Sequence, residues 1–251
     1  MCGFLLRIAS LLILTAPVAA QTADEIIAKY IGTIGGKEKI EAIKTLRRTG
    51  KYTGGGGFEA VFVQENKRTN LVRQEITFQG MTGISAYDSK AGWKIEPWSG
   101  KKDVETMGEE ELKAIVEDAD FDGPLVDYQR KGNKVEYLGI EPVEGTDTYK
   151  LKVTLRNGDI RNFFMDKDSG VPIKIETKRM VRGAEQESET ILGDYKEVAG
   201  VYFPYSFESG AKGSSQRSQI TYEKIEANVT LDDSRFQPPA NKPAKSEGGK
   251  D

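Results

Sequence analysis

Three aspartates alternate through Asp118-Ala119-Asp120-Phe121-Asp122-Gly123, which matches the D-x-D-x-D-G opening of a calcium loop. Such a loop needs a bidentate Glu at its twelfth position. Gln129 stands there, Pro124 follows the glycine, and strand-like sequence comes next where a second helix should begin. The stretch therefore reads as the solvated acidic end of a helix. Four glycines, Gly54 to Gly57, could cradle a phosphate, but no Lys-Ser/Thr follows and no helix starts there, so they read as a hairpin loop. Glu109-Glu110-Glu111 and the Asp166/Asp168 pair offer carboxylates of the kind that serve as acid and base in glycoside hydrolysis. That chemistry depends on a separation that spacing along the chain does not set. The trio suits a helix start and the pair suits a turn.

The chain has no histidine, and its one cysteine is Cys2. Ser-His-Asp and Cys-His nucleophiles are excluded, as are ordinary zinc sites. The sequence is read as that of a non-enzyme with no catalytic residue, no metal and no cofactor. An exported hydrolase working through carboxylates alone is the residual enzymatic alternative. Bases (36) and acids (39) are nearly balanced and interspersed, so no basic stripe points to nucleic acid.

The elements that would position any site begin after an export signal. Arg7, the apolar run Ile8–Ala20 and the small residues Val18-Ala19-Ala20 predict a signal peptide over 1–20, cleaved before Gln21. The run is too short for a membrane span. Cys2 precedes it, where a lipid anchor would require a cysteine at its end. A soluble periplasmic protein is expected, with one domain over 21–236. The Pro-, Lys- and Gly-rich residues 237–251 are expected to be a disordered tail.

Ile26, Ile27, Tyr30, Ile31 and Ile34 recur at helical spacing, Gly35-Gly36 breaks the pattern, and Ile40 and Ile43 mark a second short helix. The period then changes to two. Strands are predicted at 45–53, 58–65, 70–78, 82–88 and 92–97, and after a break at 135–141, 148–156, 159–166, 171–182, 186–196, 201–208 and 215–226. Asn157-Gly158 and Asp166–Gly170 supply turns. The break holds an amphipathic helix, 107–121, with Leu112, Ile115, Val116 and Ala119 on one face. Strands such as 148–156, apolar on one face and charged on the other, need cover on the apolar side.

Trp93, Ile95 and Trp98 surround a strand end that leads into that helix. They fit two descriptions: plain core, or the mouth of an apolar cavity to which Leu112, Ile115, Val116 and Phe121 would contribute from the helix side.

The segments "ENKRTNLVRQEITFQG", "AYDSKAGWKIEP" and the closing "SRFQPPA", with the interrupting helix and the run of hairpins, resemble the periplasmic lipoprotein carriers of the Lol system, the LolA-like superfamily. Thr69 stands where that family usually has proline. The resemblance implies an α+β fold: an incomplete antiparallel β-barrel of about eleven strands, with helices 24–46 and 108–119 covering its concave face. It implies a cavity for lipoprotein acyl chains or another lipid, an inner-membrane transporter as donor and an outer-membrane receptor as acceptor. The family's lid-pinning strand arginine aligns with Arg68, with Arg73 as the alternative. An envelope sensor or interaction module that docks a partner protein is the other role this fold would serve.

Overall fold

The computed structural model describes residues 21–239 except 69, 101 and 102. The signal peptide, Thr69 and all but the start of the expected tail lie outside the described residues. Helices α1 (Ala23–Thr33) and α2 (Lys37–Ala42) open the chain. Strands β1 (Thr45–Thr53), β2 (Glu59–Lys67), β3 (Leu71–Phe78), β4 (Met81–Asp88), β5 (Gly92–Ile95) and β6 (Glu105–Thr106) follow, then helix α3 (Glu109–Ala119). After an irregular segment come β7 (Lys134–Val143), β8 (Thr146–Thr154), β9 (Ile160–Asp166), β10 (Pro172–Val181), β11 (Ala184–Val198), β12 (Val201–Ala211) and β13 (Ser218–Ala227).

Among the described residues thirteen strands join one antiparallel sheet in the order β6-β5-β4-β3-β2-β1-β13-β12-β11-β10-β9-β8-β7. Two meanders are thus joined where the first strand pairs with the last, with Leu46 opposite Ala227. The sheet does not close, and β6 and β7 are its edges. The count is thirteen rather than about eleven. Part of the excess is β6, whose two residues are too short to carry an alternating pattern.

Helix α1 begins with a capping box between Thr22 and Glu25. It buries Ile26 and Ile27 on Leu151, Val153, Phe163 and Met165 of β8 and β9. The turn into α2 needs glycine: Gly35 has φ +125°, and a Cβ there would lie 2.2 Å from the Gly200 carbonyl oxygen. Ile34, Ile40 and Ile43 then join Leu46, Phe62, Val201 and Tyr222 in a core that spans the seam between the two meanders. Helix α3 packs elsewhere, with Ile115 and Ala119 against Val72 and Met107, beside Leu112 and Tyr87. The concave face of an open sheet therefore carries all three helices, as its apolar register requires. Across β2–β5 the convex face is covered by the C-terminal segment, where Phe236 and Leu231 pack on Leu71. Among the described residues no helix is long and apolar enough to cross a membrane.

Candidate functional site

Alternation along the strands decides which side chains reach the space under the helices. Phe62 and Gln64 of β2, Ile175 and Thr177 of β10, Thr190 and Leu192 of β11, and Ile220 and Tyr222 of β13 all point inward. With Ile34, Ile43, Phe121 and Phe163 they line a cavity of about 450 Å³. Its roof is the segment from Glu117 to Leu125 together with α1 and α2.

The roof is held by polar contacts, and the strongest come from consecutive residues. Glu117 takes two hydrogen bonds of 2.7 Å from Arg179 Nη2, one from Arg161 Nη2 and one of 2.9 Å from Asn157 Nδ2. Arg179 also donates from Nε to Asp159, at 2.5 Å. Asp118 turns to the other wall, where its carboxylate accepts from Gln74 Nε2 at 3.0 Å. Its backbone oxygen accepts from Asn66 Nδ2 at 2.8 Å. Asn66 in turn accepts from the buried Arg48 and from Gln64. One turn pair earlier the arrangement repeats: Glu110 accepts from the Arg182 backbone N–H, and Glu111 from Lys94 at 2.6 Å. Residues seven apart share a helix face, so α3 carries two acidic rows, one for each wall of the half-barrel.

Burial shapes the charges here. It pushes the Asp118 carboxyl above its ordinary value, partly offset by Gln74 and by the Arg161 and Arg48 charges, and it lowers Arg48. The Tyr222 hydroxyl beside them is pushed up to about 12, again by burial. The buried guanidinium of Arg48 is costly unless partnered, and its bond to Asn66, which in turn holds the Asp118 carbonyl, ties the closed position to these contacts.

Arg68 pins the remaining roof. Its Nε donates to the Ile43 carbonyl at 2.6 Å and its Nη2 to the Ile40 carbonyl at 2.5 Å, at the end of α2. Nη1 and Nη2 form a fork on Asp122, at 2.6 and 3.0 Å. The guanidinium lies 4.8 Å from the centre of the Phe121 ring. Arg73 is on the other face of the sheet, bonded to Glu75 and to the Arg235 carbonyl.

The structure separates the other residues singled out in the sequence. Phe121 lines the cavity, while Val116 lines a second space of about 730 Å³ beyond the roof segment. Leu112 and Ile115 fasten α3 to β3–β5. Trp93 is buried in the convex register, its Nε1 donating to the Phe236 carbonyl at 2.8 Å, and Ile95 shares that register. Trp98 is half exposed and lies on Gly83. A one-residue difference in strand parity is enough to put Trp93 on the face away from the cavity.

The Asp118–Asp122 stretch ends α3 as expected, with Asp118 exposed and Asp120 and Asp122 half-buried, but its carboxylates are not simply solvated. Each carboxylate has a separate partner: Gln74 for Asp118, Lys131 for Asp120 and Arg68 for Asp122. The residues that sequence reasoning missed are Glu117, Arg161, Arg179 and Arg48. For the three arginines the signal was a charge in the inward register, since Arg161 shares its face with Phe163, Arg179 with Ile175 and Arg48 with Leu46.

No protein-family model matches the sequence, and no curated protein matches it. The likeness is in three dimensions. A LolA superfamily protein from Nitrosomonas europaea superimposes with a TM-score of 0.58, at 15% identity over 87% of this chain and 98% of that one. A Vibrio parahaemolyticus domain described as an outer membrane lipoprotein-sorting protein gives 0.55, at 11% identity over 79% and 93%. A DUF1329 family protein from Desulfovibrio piger gives 0.56, at 12% identity over 85% and 96%. The open sheet of thirteen strands with helices on its concave face is thus a fold that this chain shares with a LolA superfamily protein and with these other solved structures, at 11–15% sequence identity.

Proposed function

We propose that the protein is a non-enzymatic periplasmic carrier that holds the acyl chains of a lipoprotein or another lipid under its helical roof. The observation that carries this reading is a largely apolar cavity whose roof is held by polar latches. Its volume of about 450 Å³ falls in the range of about 300–1,000 Å³ usual for small-ligand sites. Phe62, Phe121, Phe163, Leu192 and Phe207 offer aromatic and aliphatic walls. Each methylene moved from water into such a space contributes about 0.8 kcal/mol.

The roof can open without dismantling the core. Helix α3 is fastened to β3–β5 by Leu112, Ile115 and Ala119, but meets the β9–β10 wall through Glu117 and its arginines. Opening therefore follows the polar seam, where water replaces the lost hydrogen bonds. The Lol-type donor and acceptor partners belong to this reading as expectations. Gently purified protein examined by native mass spectrometry tests it. A co-purifying mass that dissociates as a phospholipid or acylated peptide is expected. A bare protein mass, unchanged after incubation with acylated peptides, would overturn the carrier role in favour of a module that docks a partner protein.

A further inference from the structure

Two arginines line the inner cavity, and they differ in one respect. Arg161 is paired with Glu117, whereas Arg48 has no carboxylate partner among the described residues. Only 9% of Arg48 is exposed, so its charge is held almost out of water, and a buried charge is costly unless something answers it. One of its five N–H groups is used: Nη1 donates to Asn66 Oδ1 at 2.7 Å. That oxygen is already shared with Gln64 Nε2, at 3.0 Å. Nothing among the described residues accepts from Nε or Nη2. The unpartnered nitrogens that the protein seals off completely are Arg161 Nε and Arg217 Nη1; those of Arg48 are not among them and open on the cavity that Arg48 lines.

The neighbours of Arg48 do not need a ligand. Gln64 stands opposite it on β2, and Gln74 stands opposite Gln64 on β3. Gln64 accepts from the Tyr222 hydroxyl at 3.3 Å, and Gln74 donates to Asp118. The unmet demand at this end of the cavity is therefore for an acceptor with negative charge, placed at Arg48. The apolar wall begins beside it. Phe62 is two residues from Gln64 on β2, and Leu192, Phe207 and Ile220 sit side by side on β11, β12 and β13. One cation at the end of an apolar chamber suits an amphiphile with one charged end. A guanidinium presents a planar fork of donors that matches a carboxylate. Glu117, Asp118, Asp120 and Asp122 stand in the roof above, and they would repel a head that carries more than one negative charge.

We propose that the inner cavity binds a long-chain carboxylic acid, its carboxylate on Nε and Nη2 of Arg48 and its chain along Phe62, Phe207 and Ile220. The inference rests on the carrier reading and narrows its cargo to an acyl chain that ends in a free carboxylate.

The test offers the delipidated protein an equimolar mixture of palmitate and methyl palmitate carried on cyclodextrin, then re-isolates it and measures both bound lipids by mass spectrometry. The two share a chain and a carbonyl and differ in charge. Palmitate is expected to exceed the ester by about tenfold, the lower end of what one charge-assisted hydrogen bond supplies. This comparison needs no variant, so the bond from Arg48 to Asn66 is undisturbed. Arg48→Gln, checked for its sheet by circular dichroism, should bring the ratio towards unity, and Arg48→Lys should keep most of it. Equal uptake of the two lipids by the unaltered protein, or an unchanged preference in folded Arg48→Gln, overturns the carboxylate assignment and leaves the carrier reading intact. Acetate bound as tightly as palmitate would make this a site for soluble carboxylates, against the proposal. Uptake of neither lipid also overturns the assignment; the carrier reading then stands if the gently purified protein holds a phospholipid or acylated peptide, and falls with it if that protein is bare.

Discussion

Glu117 and Asp118 are neighbours in the chain and hold opposite walls of the half-barrel. Glu117 gathers Arg161 of β9 and Arg179 of β10, and Asp118 reaches Gln74 of β3. Successive helical residues diverge by about 100°, which lets one turn of α3 bridge a gap that the sheet leaves open.

The Glu117 side of this bridge should be the weaker one mechanically, because no apolar cluster supports it. Glu117→Gln leaves Arg161 and Arg179 without their shared anion, at a cost on the order of 3 kcal/mol for a partly buried group. Hydrogen exchange is expected to rise in residues 109–123 while β1, β2 and β13 stay protected. Uniform protection across both regions would show that the latch is not what holds the roof.

Arg68 offers a sharper test of geometry against charge. Arg68→Lys keeps the positive charge near Asp122 but cannot reach Asp122 and the Ile40 and Ile43 carbonyls together. Amides 40–46 and 121–125 are expected to exchange faster together, with a loss of about 1–3 kcal/mol in local stability. A change confined to one of the two segments would mean that Arg68 does not couple them.

Asp118 makes the roof sensitive to pH. Burial raises its carboxyl in the closed arrangement, while an opened, hydrated Asp118 returns towards the ordinary 3.8. Ionisation then favours the open side. The closed roof is firmest below the ordinary value and loses ground as pH rises through the raised one. Opening, read from hydrogen exchange corrected for the intrinsic rate, should increase as pH rises from the ordinary 3.8 through the raised value, and Asp118→Asn should flatten the dependence. A slope that survives in Asp118→Asn would assign it to another group.

Gly83 is required by Trp98. A Cβ at Gly83 would stand 2.1 Å from the Trp98 ring. Gly83→Ala is expected to expel the half-exposed indole and red-shift part of the tryptophan emission, with Trp93 remaining the blue component because its ring is buried. An unshifted spectrum would mean that the strand yields and the ring does not.

Much of the fold was legible because its strands alternate. Tyr149, Leu151 and Val153 announced the covered face of β8, and Gly35-Gly36 announced the break between α1 and α2. The roof contacts were not legible in the same way. Glu117 meets Arg161 and Arg179 across 44 and 62 residues, and no local pattern encodes such pairs. What the sequence did hold was the anomaly of arginines on apolar strand faces, with nothing to say which carboxylate would answer them. Trp93 failed as a guide for a related reason: aromatic size marks burial but not the side of the sheet on which burial occurs.

The pairing of β1 with β13 also sets a timetable. Thr45–Thr53 can form a hairpin with β2 as soon as both are made, yet its other edge stays bare until residues 218–227 exist. Closing so long a loop is slow, and an unpaired strand edge invites foreign strands in the meantime. The seam is therefore the last part of the sheet able to form, and the nascent chain must be kept from aggregating until its final strand arrives.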